Sequence, residues 1–172
     1  MRPIERGTAE FGEVMAALRA GQGQGQAAGD WLAENEVVRV FGTYHCLSRR
    51  RFAEHSCELS NHRTLFHGSP AHNWVGLLSR GLQLPQLCFR MGSGRSAAIS
   101  SLGKGIYFGD CPATAALYCR GTALRGTRLM ALCRVALGKT LKLAEPAPQL
   151  VKAPLGYDSV HGTRILHNKN TT

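Results

Sequence analysis

"TLFHGSPAHNWVGLLSRGL", residues 64–82, packs a strand, a turn and a helix into one short stretch, and its reading decides the fold. Thr64 to Phe66 suit a short strand. Ser69 is a candidate N-cap, and Pro70 suits the first helical position, where its missing N–H would have no partner in any case. Trp74, Leu77 and Leu78 recur at helical spacing toward a core, and Gly81 fits the backbone position just past a helix end. His67 and Gly68 stand together at the turn, which makes them the first candidates for chemistry.

The same alternation continues on both sides. Thr8 caps a predicted helix whose apolar residues Phe11, Val14, Met15 and Leu18 repeat at helical spacing and which ends by Ala20. "GQGQGQAAGD", 21–30, reads as a flexible loop because its glycines cost backbone entropy in any regular element. "EVVRVFGTYHC", 36–46, is β-branched and aromatic and predicts a strand. Downstream, 83–105 has no clear period and predicts a long loop, a length that in compact domains usually signals function. It delivers a short strand, "GIYFGD" at 105–110. Pro112 opens a further helix carrying Ala115, Ala116 and Tyr118 and closed by Gly121, and "RLMALCRVALG", 128–138, is a strand. Pro146, Pro148 and Pro154 then interrupt regular structure until a last strand within "YDSVHGTRIL", 157–166. The expected division is an N-terminal helix and Gly/Gln-rich loop over 1–35 and one α+β domain over 36–172.

Composition sets bounds on function. With 172 residues, 44% of them apolar, one core is expected. No apolar run approaches the roughly 18 residues of a membrane span. Six cysteines show no paired spacing, and no secretory signal is evident, so the thiols read as reduced and the protein as intracellular. His45, Cys46, His55, Cys57 and His62 cluster in sequence, but no zinc-ligand spacing organises them, and no metal site is expected. The net charge of +10 is the strongest compositional signal. Arg49, Arg50, Arg51, His62 and Arg63 form its densest part, a composition that attracts RNA, DNA and phosphorylated cofactors.

The ordered motifs "LFHGSPAHNWVGLLSRGLQLP", "LGKGIYFGD", a helix ending in "LYC", "RVALG" and "GYDSVHG" resemble the catalytic domain of the poly(ADP-ribose) polymerase family over about residues 36–162. The resemblance implies split antiparallel sheets with short flanking helices around an NAD cleft. It further implies that His67, Ser69 and Asn73 contact the adenosine ribose and that the Gly68 backbone holds the nicotinamide amide. Tyr118 would stack on the nicotinamide ring, with Tyr107 lining its other side. Glycine lets a planar amide approach main chain that a Cβ would shield.

Departures from the family pattern temper this reading. A serine that commonly bonds the nicotinamide amide is replaced by Ala115, removing a hydrogen bond worth on the order of 1 kcal/mol. Active polymerases carry a catalytic glutamate on a later strand, whereas here no Asp or Glu follows Asp158. The sequence is therefore expected to lack that strand and the catalytic carboxylate. Two functions follow. One is a catalytically impaired relative serving as a basic module of an RNA-rich assembly such as a ribonucleoprotein. The other is an active NAD-dependent ADP-ribosyltransferase whose final strand comes from a partner polypeptide or lies outside this sequence.

Overall fold

The computed structural model describes residues 1–21, 31–84, 101–119 and 126–163. Short helices and strands alternate along them in an α+β arrangement. The order is β1 (Arg2–Ile4), α1 (Ala9–Ala20), α2 (Trp31–Glu34), β2 (Val40–Gly42), α3 (Cys46–Ser56) and β3 (His62–Gly68). A 3₁₀ turn (Ala71–Asn73), α4 (Trp74–Arg80), α5 (Pro112–Ala116), β4 (Met130–Ala136), β5 (Thr140–Leu143) and β6 (Ser159–Gly162) follow. The strands pair as β1–β2, β3–β4 and β5–β6. The chain divides into two compact units, one of Met1–Glu54, Arg63–Leu82 and Tyr107–Val135, the other of His55–His62, Gln83–Ile106 and Ala136–Thr172. Segment 22–30, most of the expected loop 83–105, Gly121 and the end of 157–166 lie outside the described residues.

In the first unit the cap on α1 forms as the sequence dictates: the Thr8 hydroxyl oxygen accepts the Phe11 N–H at 3.2 Å. The apolar stripe of α1 then brings Leu18 against Phe66 of β3 and Ala115 of α5, the three buried members of the core. Val14, Met15, Trp31, Leu32, Val37, Met130 and Leu132 pack around them. β1 and β2 run antiparallel, Arg2 opposite Gly42 and Ile4 opposite Val40. Arg2 pairs with Glu10, which ties the first strand to α1, and Arg6 donates to the Val37 carbonyl at 2.9 Å, which holds the segment before β2 beside the turn that follows β1.

The second unit is organised around the parallel pair β5–β6, Thr140 opposite Ser159 and Leu143 opposite Gly162. The Asp158 carboxylate accepts the Lys139 N–H at 2.8 Å and fixes the start of the ladder, while the Thr163 N–H donates to the Leu143 carbonyl at 2.8 Å and closes it.

Three local expectations change. The strand expected over 36–46 shrinks to Val40–Gly42, because its partner β1 has only three residues, and the chain then turns into α3. That helix, rich in good helix formers, begins beside His45, whose Nδ1 accepts the Ser48 N–H at 3.1 Å in the manner of an N-cap. The expected strand 105–110 pairs with β3 only through Phe66 and Gly109, at 2.8 and 2.7 Å. The ladder stops there because the Tyr107 carbonyl is taken by a side chain, that of His67. Ser69 does not cap the following helix. Its hydroxyl accepts from Asn73 Nδ2 at 3.0 Å, and the chain after Pro70 enters a 3₁₀ turn before α4. The β5–β6 pair is parallel, and the expected α+β arrangement of small sheets and short helices holds.

Leu18→Ala removes the centre of the first unit's core and should lower unfolding free energy by about 3 kcal/mol. Thr8→Ala should cost only about 1 kcal/mol, the usual worth of an N-cap. Urea unfolding followed by circular dichroism measures both, and equal losses would contradict the packing described.

Candidate functional site

The six residues singled out in the sequence all fall in the first unit, around the end of β3. Strand alternation explains the first of them. Phe66 is 3% exposed and faces the core, so His67 faces the opposite side of β3. There its Nδ1–H donates to the Tyr107 carbonyl at 2.8 Å, and its ring lies 5.7 Å from that of Phe108, tilted by 59°. Donation from Nδ1 leaves Nε2 as the acceptor of a neutral imidazole. Burial lowers the His67 pKa below the ordinary 6.5, and the Tyr107 carbonyl opposes this without reversing it. At neutral pH the ring is therefore uncharged and oriented.

Gly68 shows a second requirement for glycine. A Cβ at this position would overlap the carbonyl oxygen of Ala115 and lie 2.9 Å from Cys119 Sγ. The turn thus permits α5 to approach the backbone itself. The Ala115 carbonyl also accepts the Tyr118 N–H at 3.0 Å and the Cys119 thiol at 3.4 Å, so the last turn of α5 closes over Gly68. Ala115 itself is 2% exposed and belongs to the core with Leu18 and Phe66.

Ser69 is buried, and two donors fix it: Asn73 Nδ2 on its hydroxyl at 3.0 Å and Trp74 Nε1 on its carbonyl at 3.1 Å. Tyr107 is half-buried, and Tyr118 is 54% exposed, its side chain open to solvent beside the end of α5. The structure thus joins His67 to Tyr107, Ser69 to Asn73, and Gly68 to the turn bearing Tyr118. Sequence reasoning missed Cys119 as a neighbour of Gly68. The thiol is 3% exposed, and its pKa is raised by burial, against the Ser69 backbone and Arg128. It was visible only as the last letter of "LYC", since nothing local reveals a contact 51 positions away.

Among the described residues no group of three or more His, Cys, Asp or Glu is placed to hold a metal, and no helix is long and apolar enough to cross a membrane. The whole-chain comparison decides the affiliation: residues 8–171 match the poly(ADP-ribose) polymerase catalytic domain. The chain belongs to that family. It is similar to human protein mono-ADP-ribosyltransferase PARP4, 47% identical over 159 residues, which cover 92% of this chain and 9% of that protein. The mouse protein of the same name is 47% identical over 105 residues, 61% of this chain and 5% of the relative. Human poly [ADP-ribose] polymerase 2 is 37% identical over 107 residues, 61% of this chain and 17% of the relative. The chain therefore spans less than a tenth of the length of the two mono-ADP-ribosyltransferases it matches.

Gly68→Ala should shift α5 or unfold the first unit, with a loss of at least about 2 kcal/mol by denaturant titration, because the clash is with backbone. A neutral substitution there would mean that α5 does not close over the turn. His67 gives a pH signature. Its folded pKa lies below 6.5, so the unfolded chain takes up the proton first, and stability falls as pH drops from about 6.5 toward the lowered folded value. Above 6.5 the contribution is complete. His67→Gln should remove that acid-side slope in stability measured between pH 7 and 5; an unchanged slope would place the titrating group elsewhere.

Proposed function

We propose that these residues form the NAD-binding part of an ADP-ribosyltransferase domain. The observation that carries this is the end of β3, where a neutral, oriented imidazole stands one residue from a glycine without a Cβ and two from a hydrogen-bonded serine–asparagine pair. The donor set fits a dinucleotide: Nε2 of His67 and the Ser69–Asn73 pair suit ribose hydroxyls, and the Gly68 backbone suits a carboxamide. Tyr118, already half in solvent, stacks on a planar ring without moving the core. Bound NAD would supply the ADP-ribosyl group and the nicotinamide leaving group. This chain's own residues bind and orient it.

Two of the relatives are named mono-ADP-ribosyltransferases, which supports transfer of a single ADP-ribose unit as the activity of the domain. Transfer needs stabilisation of positive charge as nicotinamide departs, usually the largest catalytic contribution. Within these 172 residues no carboxylate follows Asp158. On their own they should bind NAD better than they turn it over, with transfer slower by roughly a hundredfold to ten-thousandfold than when a carboxylate-bearing strand is supplied in cis or by a partner.

A second reading, a basic intracellular module of an RNA-rich assembly, is favoured by the net charge of +10.

Isothermal titration of the folded chain with NAD tests the first reading. Binding in the micromolar to millimolar range, weakened by Tyr118→Ala, supports it. An NAD titration without heat or displacement at millimolar ligand would reject it and leave the module reading. Transfer from labelled NAD, with and without a supplied strand, then separates binding from turnover.

A further inference from the structure

Helix α3 was not foreseen in the sequence, and none of its residues is buried. With 3.6 residues per turn, Arg49, Arg50 and Arg51 project at successive angles of about 100°, so most of the helix circumference presents a guanidinium to solvent. The one carboxylate on the helix, Glu54, accepts from Arg50 Nε at 2.7 Å. β3 and β4 contribute Arg63 and Arg134 and no acidic residue.

Aromatic rings are interleaved with these charges. The Arg49 guanidinium lies 5.4 Å from the centre of the Tyr44 ring, and that of Arg134 lies 5.9 Å from the Phe52 ring, which joins β4 to the face of α3. Tyr44 is 69% exposed, and Phe41 is 46% exposed on β2 just before it. A guanidinium covers one face of a ring and leaves the other for stacking. Charge alone would attract any polyanion. Exposed rings beside the charge are useful only to a ligand with open planar faces, and a duplex hides its base faces in its own stack.

We propose that Phe41, Tyr44, Arg49 and Arg134 form a surface for single-stranded nucleic acid, with phosphates on the guanidiniums and bases stacked on the rings. This rests on the module reading given above and is independent of NAD binding. None of the four residues was assigned to the dinucleotide site.

Fluorescence anisotropy of the whole chain with a labelled single strand of about 12 nucleotides, and with the matching duplex, tests it at several salt concentrations. The single strand should bind more tightly than the duplex. Arg49→Gln with Arg134→Gln should reduce the slope of log K against log salt by about 2, and Tyr44→Leu should weaken the single strand roughly tenfold with little effect on the duplex. Arg19→Gln, a control on α1, should change neither preference nor rings. Equal affinity for both probes, or loss by Arg19→Gln matching that of the double arginine variant, overturns the surface while leaving a basic module intact. No binding of either probe at low salt overturns both. All of these variants alter exposed side chains, and an unchanged circular dichroism spectrum confirms that each is folded.

Discussion

The first unit depends on a contact between two pieces of backbone: the carbonyl of Ala115 stands where residue 68 would carry a Cβ. Glycine makes that approach possible, and much of the site follows from it. The last turn of α5 seats against the end of β3, Tyr118 emerges beside the turn, and Cys119 is carried beneath it. Ala115 meanwhile faces Leu18 and Phe66, so the helix that borders the site is anchored by the same core that holds α1. Site and core thus share one wall, and substitutions in either are felt by the other.

Orientation at the site is achieved with neutral groups. His67 is held by a carbonyl rather than a carboxylate, Ser69 by an amide and an indole, and Cys119 by a carbonyl. Such contacts are little affected by salt, whereas exposed charges are screened over about 10 Å at moderate ionic strength. Exposed arginines stand elsewhere, on α3.

Much of this was legible in the sequence because it is local. Thr8 capped α1 as expected, Pro112 opened α5, and the strand over 128–138 formed as Met130–Ala136. The order of the motifs suggested the family, and the match over residues 8–171 shows it. What failed was decided at long range. Residues 105–108 have strand-forming composition, but the imidazole of His67 claimed the carbonyl that a ladder would have used. Ser69 has the right chemistry for a cap, and Asn73 took its hydroxyl instead. α3 has no apolar period to reveal it, since it buries no residue, and its start is set by the ring of His45. Ala115, read as replacing a hydrogen-bonding serine, is also a core residue, which its sequence position did not reveal.

That ring of His45 has a mechanical consequence. Its Nδ1 accepts from Ser48 at the start of α3 at 3.1 Å, while its Nε2–H donates to the Ser79 carbonyl in the last turn of α4 at 3.0 Å. Gly81, at φ 77°, follows directly, and a Cβ there would lie 2.5 Å from Ser48 Oγ. Two helices with different tasks are thus pinned at one imidazole, with little room for the joint to slide. A force applied along α3 is passed to α4 through a small rigid ring rather than dissipated in a loop, so the two helices should tilt together as a single lever.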